Sequence, residues 1–220
     1  MGDTSVCRSV MTVEGSELVA LDSAMLLTYS EVHHTSCDGG ALCQLWYGSP
    51  VVDYPKLLEP AFIADCPYGP GGLLLDALLA LEPERSLVRA RMPTHADLPL
   101  TREQRHHPVR HPLHVAGGLM VHMTGMIGFV HAYYVLGLRH ADGWIGYGGR
   151  IHSARFRALA TPGEPLELEC VAKQLRKGAK RVLARYDLRF EQHGRVIYEG
   201  DQTAMWFKVD ENTQPSDFEG

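Results

Sequence analysis

The chain has 220 residues, of which 45% are hydrophobic and 21% charged, and its formal net charge is -5. This length and composition fit one globular domain with extensions, and the negative charge argues against nonspecific binding to nucleic acid. The five cysteines are an odd number without CxxC spacing, so they predict neither a disulfide framework nor a zinc site and indicate a reducing compartment.

Residues 1–57 are predicted to be an N-terminal extension that could form a β-hairpin. The segments 23–35 and 41–47 favour strands, and a turn signal at 37–40 separates them. His33 and His34 adjoin Cys37, which raises the idea of a metal site, but adjacent histidines on a strand point to opposite faces and cannot easily share one ion. The N-terminus lacks the features of a secretory signal, so we predict a cytoplasmic protein.

Prolines and glycines cluster between residues 50 and 72, which predicts a linker or an irregular lead-in. Leu73 to Leu75 then favours a strand, although residues 73–80 fit a short helix equally well. A turn is predicted at 82–85. An alternating strand from Ser86 to Met92 and a loop over residues 93–106 complete this part of the chain.

Residues 107–138 are predicted to hold the central element of the fold. A loop rich in histidine and proline passes through a Gly117-Gly118 pair and becomes a long apolar run. Apolar residues lie nearly all round this run, which predicts a buried central helix, and its glycines and histidines make a membrane span an unsuitable interpretation. The unpaired N–H groups of such a helix start are suited to binding a carbonyl oxygen.

The segment after this helix predicts antiparallel strands joined by short turns, over residues 151–160, 166–175, 181–190 and 196–209. In the third of these strands, the alternation places Val182, Ala184, Tyr186, Leu188 and Phe190 on the inner face. The acidic tail from Asp210 is predicted to be disordered. A sheet wrapped around one helix is the simplest fold for this order of elements, because the helix is apolar on too many sides for a surface position.

Basic residues are concentrated between residues 150 and 189, where ten Lys or Arg stand against four Asp or Glu. Solvated strand faces are the simplest explanation of this pattern. A docking surface for an anionic partner, such as the phosphates of coenzyme A or an acidic carrier protein, is the alternative.

The order of elements and several motifs resemble the hot-dog fold, specifically the 3-hydroxyacyl-acyl-carrier-protein dehydratases. That family has a short LLVD-type strand, a loop of the form HFPGxPxMPG, a long helix, and a strand of the form ARFRxxVxPGDxL. The segment GLLLDALLALEPER (72–85) matches the first motif, and ARFR (154–157) with TPGEPL (161–166) matches the last. QLRKG (174–178) resembles the family's next hairpin. The resemblance covers residues 58–208, and hot-dog thioesterases share much of it.

The resemblance implies an α+β protein with a hot-dog fold, in which an antiparallel sheet is wrapped around one long central helix, preceded by the N-terminal extension. The implied domains are residues 58–209 for the hot-dog domain, 1–57 for the extension and 210–220 for the tail. The implied substrate is a thioester of acyl carrier protein or coenzyme A, with no cofactor, nucleic acid or membrane involved. Hot-dog subunits pair through sheet edges, so a homodimer or a dimer of dimers is expected.

The implied reaction is dehydration of a 3-hydroxyacyl thioester to the 2-enoyl thioester. If His107 matches the family's catalytic histidine and Gly117 its helix-opening glycine, His122 falls where the family has a helix-borne Glu or Asp. We therefore predict His107 as the base, His122 as the group that orients or protonates the hydroxyl, and the Gly117 N–H as donor to the thioester oxygen. His111 is a rival for the base.

Other residues of the same segments are candidate substrate contacts, namely His111, Gly118, Met126, Tyr133 and Arg155. The missing helix carboxylate leaves three alternatives open: thioester hydrolysis, double-bond isomerisation, and a non-catalytic subunit that binds acyl chains. A three-histidine metal site formed by His111, His114 and His122 is a weaker alternative, since its ligands lack any spacing signature.

Overall fold

The computed structural model describes residues 53–210 and residue 213. The predicted N-terminal hairpin, the His33 and His34 pair, and nearly all of the predicted acidic tail lie outside these residues. No helix in the described part of the chain is long and apolar enough to cross a membrane.

The described elements are seven strands and three α-helices. The strands are β1 (Lys56–Leu57), β2 (Ala77–Glu82), β3 (Leu87–Met92), β4 (Trp144–Phe156), β5 (Leu166–Lys177), β6 (Arg181–Gln192) and β7 (Arg195–Lys208). The helices are α1 (Pro60–Asp65), α2 (Pro70–Leu73) and α3 (Gly117–Tyr134). Short 3-10 turns lie at Pro83–Arg85 and His140–Asp142.

The strands form one antiparallel sheet in the order β1-β2-β3-β5-β6-β7-β4. Helix α3 connects β3 to β4 and packs against β3, β4, β5 and β7. Because the helix contacts strands from both halves of the sheet, the sheet must curve around it. This arrangement confirms the predicted hot-dog fold.

Strands β5, β6 and β7 form the meander that the sequence predicts. The five β6 residues expected on the inner face are all buried, whereas Arg181, Asp187 and Arg189 on the same strand are exposed. The alternation is clear here because one face of these strands packs on α3 while the other meets solvent.

The sequence predicts that helix α3 is buried on nearly all sides, but the structure leaves one side of it uncovered. Its largest buried residues, such as Met123, Ile127 and Val130, face the sheet. A stripe at intervals of three or four residues is exposed or only half-buried, and it consists of Gly118, His122, Gly125, Phe129 and Tyr133. Residues at this spacing share one face of a helix, so α3 has one face that the described chain leaves open.

The segment before β2 is more ordered than the predicted linker. It contains β1, α1 and α2, and Phe62 of α1 is fully buried against the rings of Tyr133 and Tyr134. Leu73 to Leu75 is not a strand: α2 ends at Leu73, Leu74 has a positive φ of 56°, and β2 begins only at Ala77.

Strand β4 begins at Trp144 and ends at Phe156, whereas the sequence predicts a strand from Ile151 to Ala160. Glycine is rare in strands, so the glycine-rich start was missed. Gly146 is needed there because a Cβ atom would lie 2.6 Å from Nε1 of Trp206 and 3.0 Å from the Phe129 ring. Beyond Phe156 the chain leaves the sheet, and the Ala160 carbonyl accepts a hydrogen bond from Val115 N instead.

A histidine lies in the core near the end of α3. His131 is fully buried, with Nε2 2.9 Å from the Ser86 hydroxyl and Nδ1 3.0 Å from the Tyr186 hydroxyl. Burial lowers the pKa of His131 to about 4, because the charged form would lose its hydration. His131 is therefore neutral at neutral pH.

This burial predicts a loss of stability in weak acid. Below pH 6.5 the unfolded chain protonates His131 while the folded chain does not until about pH 4, so the free energy of unfolding must fall as the pH drops through this window. Between pH 7.5 and pH 5 the expected loss from this one group is about 2 kcal/mol. Urea unfolding of the wild type and of His131→Gln at both pH values measures this loss of free energy of unfolding. An equal loss in the two proteins would contradict the lowered pKa of His131 as its cause.

Candidate active site

A cavity of about 680 Å³ lies beside the open stripe of α3. Its other walls come from the end of α1 and the residues after it, from β4 and from β7. The volume is within the range of small-molecule sites, and apolar residues such as Phe129, Met126 and Trp206 provide much of its lining.

The cavity exists partly because its walls carry glycine. A Cβ atom built on Gly125, Gly128 or Gly148 would meet no atom within 4 Å. Gly125 and Gly128 lie on α3 and Gly148 lies on β4, so both sides of the space are formed by bare backbone. The glycines of α3 and β4 therefore keep this space open.

His122 is the histidine of α3 that lines the cavity. Its Nε2 lies 2.6 Å from the carbonyl oxygen of Gly72, and its ring meets the edge of the Tyr68 ring at 5.2 Å between centroids. A carbonyl oxygen can only accept, so Nε2 carries the proton in the neutral ring and donates it to Gly72. Nδ1 then has a lone pair that no residue of the described part occupies, as a general base requires.

Two further polar side chains line the cavity near His122. The Thr124 hydroxyl lies 2.6 Å from the Val121 carbonyl and 2.8 Å from Oε1 of Gln202. Gln202 Nε2 lies 3.4 Å from the Tyr198 hydroxyl, a long contact that leaves most of the donating capacity of the amide unused. Gln202 on β7 thus provides a hydrogen-bond donor in the cavity wall.

The carboxylate and the thiol that line the cavity are not arranged for catalysis. The two carboxylate oxygens of Asp65 accept hydrogen bonds from the backbone N–H groups of His140 and Ala141, at 2.8 and 2.7 Å. Burial raises the pKa of the Cys66 thiol, which keeps it protonated and weakly nucleophilic.

The structure brings only some of the predicted site residues together. His122, Met126 and Tyr133 line the cavity. The remaining predicted residues do not contribute to its lining, and these are His107, His111, Gly117, Gly118 and Arg155.

His107 stabilises its own loop. Its backbone exchanges two hydrogen bonds with His111, and its Nδ1 accepts the N–H groups of Val109 and Arg110 at 3.2 and 3.0 Å. The lone pair of Nδ1 is therefore engaged within the loop. His111 is exposed, and its ring packs edge-on against His114, whose Nδ1 donates to the Pro112 carbonyl.

Gly117 and Gly118 begin α3 beneath two apolar side chains. A Cβ atom on Gly117 would lie 3.1 Å from the Phe156 ring, and one on Gly118 would lie 3.1 Å from the Leu100 side chain. No side chain caps this helix end within the described residues. Both glycines thus allow close packing at the helix start.

Five of the ten basic residues between 150 and 189 form ion pairs, namely Arg157, Lys173, Lys180, Arg185 and Arg189, whereas Arg150 lines the cavity. Lys173 pairs with Asp187 and Asp201, and Arg185 also pairs with Asp201. Arg157 forms an ion pair with Glu199 of β7, and Arg155 lies opposite the same residue in the strand register. The partners Glu199 and Asp201 come from β7, beyond the segment in which basic residues dominate.

No group of three or more His, Cys, Asp or Glu side chains among residues 53–210 is arranged to hold a metal ion. Four cavity residues were not among the site residues predicted from the sequence, and these are Thr124, Gln202, Tyr186 and Trp206. Gln202 could have been predicted as a site residue from the sequence. It is a polar residue at an inward position of β7, between the inward residues Tyr198 and Trp206.

No model of a known protein family matches the sequence, and no curated protein matches it. Similar solved structures include AziG of S. sahachiroi, with 19% identity over 62% of this chain and 94% of that one and a TM-score of 0.44. A mutant thioesterase of Pseudomonas aeruginosa has 16% identity, coverage of 71% and 97%, and a TM-score of 0.47. The dehydratase heterocomplex ApeI:P of Xenorhabdus doucetiae has 14% identity over 69% of this chain and 90% of that one, with a TM-score of 0.47.

The fold and the cavity define the class of this protein. It is an α+β chain of hot-dog architecture with a cavity between the central helix and the inner face of the sheet, and an imidazole lines that cavity.

The glycine wall gives a steric test of the cavity. Gly125→Leu places a branched side chain in the open space, so we expect binding of the apolar dye Nile red to weaken about tenfold or more. Gly125→Ala is the matched control, which adds one methyl group and stabilises the helix by at most about 1 kcal/mol. Fluorescence titration measures the dissociation constants. Unchanged binding by a folded Gly125→Leu protein would contradict the position of the cavity.

Proposed function

We propose that this protein is an acyl-thioester enzyme that dehydrates a 3-hydroxyacyl thioester to the 2-enoyl thioester. The observation that carries the proposal is the imidazole of His122 in a largely apolar cavity, with Nε2 held by Gly72 and Nδ1 left with its lone pair. The resemblance of residues 58–208 to hot-dog dehydratases supports the same reaction class.

In this proposal His122 performs both proton transfers. Nδ1 takes a proton from the α-carbon, the electron pair of that C–H bond forms the double bond to the β-carbon, and the C–O bond to the hydroxyl breaks. The imidazolium returns its proton to the departing hydroxyl, which leaves as water. One imidazole can therefore carry out both proton transfers if the α-hydrogen and the hydroxyl lie on the same side of the acyl chain.

Negative charge that develops on the thioester oxygen needs a donor in the cavity wall. Gln202 is the proposed donor, since its amide nitrogen has capacity beyond the long contact to Tyr198. The Gly117 N–H remains the donor that the family resemblance implies, and His107 remains the base that it implies. Parallel variants at His107 and His122 separate the two assignments.

Double-bond isomerisation is the second candidate reaction. The specific observation in its favour is that the carboxylate lining the cavity, Asp65, is engaged by two backbone N–H groups. Isomerisation needs one base and one oxyanion donor and no separate acid, so a single imidazole suffices.

The proposed substrate is carried by acyl carrier protein or coenzyme A, both of which bear phosphate. Arg150 is exposed and also lines the cavity, so it lies where the cavity meets solvent. Its guanidinium is the cavity-lining charge best suited to a carrier phosphate.

A homodimer is part of the proposal. Strand β4 is the edge of the sheet next to the cavity, and it exposes Tyr147, Ile151 and Phe156 by 50%, 51% and 55%. A long edge strand with exposed apolar residues is a template for pairing with a second copy.

The reaction is tested by incubating 3-hydroxyacyl-pantetheine with the full chain and reading the product by mass. We expect loss of water in the wild type, and a decrease in kcat on the order of 10²–10⁴-fold in His122→Gln. His95→Gln, which changes an exposed histidine away from the cavity, is the control. Full activity of His122→Gln, or loss of activity confined to His107→Ala, would overturn the assignment of the base. Loss of the acyl group would instead identify a thioesterase.

The dimer is tested by placing a charge on the edge strand. Ile151→Lys is expected to shift the mass measured by sedimentation velocity from dimer toward monomer, because a buried lysine at the edge opposes pairing. Ile63→Lys on α1 is the matched control at another exposed isoleucine. A monomeric wild type, or a dimer that tolerates Ile151→Lys, would contradict edge pairing.

A further inference from the structure

The cavity has a polar region remote from His122 that the proposed reaction does not use. Trp206 lines the cavity and is only 4% exposed. Its Nε1 lies over Gly146 of β4, 2.6 Å from where a Cβ atom of that residue would be. No residue in the described part of the chain accepts a hydrogen bond from this N–H. Nε1 is not among the fully buried side-chain atoms that lack a partner in the described part of the chain, so its N–H is open to the cavity, where it is suited to donate to a ligand atom.

A second polar group adjoins Trp206. Tyr186 also lines the cavity, is 2% exposed, and meets the Trp206 ring edge-on at 6.0 Å between centroids. Its hydroxyl lies 3.0 Å from Nδ1 of His131, whose Nε2 lies 2.9 Å from the Ser86 hydroxyl.

This chain of groups leaves Tyr186 two roles, because its O–H donates to Nδ1 of His131 when Nε2 carries the ring proton and is free when Nδ1 carries it. The neutral ring of His131 has one N–H and one lone pair. When Ser86 donates to Nε2, Nδ1–H donates to the Tyr186 oxygen, and the phenolic O–H is left to donate elsewhere. His131 thus holds Tyr186 in place and allows it to act as a second donor beside Trp206.

The polar region is separated from the imidazole along the helix axis. His122 and His131 are both on α3, and at a rise of 1.5 Å per residue their Cα atoms are roughly 13 Å apart along the axis. Beyond Thr124, which is next to the His122 end, the cavity-lining residues of α3 before His131 are Gly125, Met126, Gly128 and Phe129, and none of them has a hydrogen-bonding side chain. A ligand that reaches both ends is therefore polar at each end and apolar between them.

We infer that the substrate is an acyl thioester whose chain carries an oxygen acceptor, a keto or hydroxyl oxygen, far from the thioester. Trp206 and Tyr186 bind this oxygen, and His131 with Ser86 positions Tyr186. The inference rests on the proposed function for the location of the thioester beside His122. An unsubstituted fatty-acyl chain would leave both donors unpaired and would bind more weakly.

The test uses unreactive pantetheine amides of one chain length, in which the thioester sulfur is replaced by nitrogen. One analogue is saturated, and the others carry a keto oxygen that is moved one carbon at a time along the chain. Calorimetric titration of the full chain is expected to show one keto position that binds about tenfold more tightly than the saturated amide. Tyr186→Phe and Trp206→Phe should each reduce this preference severalfold.

Tyr134→Phe is the matched control, because it removes a partly buried hydroxyl that accepts the Glu59 N–H and does not line the cavity. It should retain the preference, and thermal unfolding of each variant verifies that it is folded. Equal or weaker binding of every keto analogue relative to the saturated one would overturn the inference, as would binding of none of the amides. A retained keto preference with no turnover of thioesters would overturn the proposed reaction alone.

Discussion

The structure depends on the packing of helix α3 against a sheet that covers all of it except one stripe. Buried residues such as Met123 and Ile127 anchor the helix, and the sheet curves around them. The uncovered stripe includes Phe129 and Tyr133, but between His122 and Phe129 it carries only Gly125, which leaves space that a larger side chain would fill. A bulky residue at Gly125 or Gly128 would close the cavity, so the site is a consequence of how the core is packed.

The cavity combines two environments along one helix. In the second turn of α3, His122 presents a lone pair, while Asp65 accepts two backbone N–H groups and burial keeps the Cys66 thiol protonated. Roughly two turns further on, the Trp206 N–H and the Tyr186 hydroxyl provide donors in an otherwise apolar wall. Separate residues perform the two proposed tasks. His122 transfers protons at one end of the cavity, and Trp206 and Tyr186 bind a distant substrate oxygen at the other.

The parts of the fold that could be predicted are those with a single strong periodicity. Strand β6 and the first part of β5 alternate cleanly because one face is buried, and α3 is apolar enough to require a central position. The start of β4 was missed because it is rich in glycine, and the need for glycine at Gly146 comes from contact with Trp206, which lies far away in the sequence. The loop histidines resembled catalytic residues, yet the hydrogen bonds of His107 stay within its own loop. The ion pairs of Arg157 and Arg185 were equally hidden, since their partners Glu199 and Asp201 are on β7.

The central claim is that the acyl chain binds in the cavity with its α-carbon next to His122. A crystal structure of the full chain with a saturated acyl-pantetheine amide tests it most directly. The account predicts that the acyl chain lies along Gly125 and Phe129, with the α-carbon about 3–3.5 Å from Nδ1 of His122. A chain bound outside the cavity, or an α-carbon beyond the reach of His122, would contradict the account.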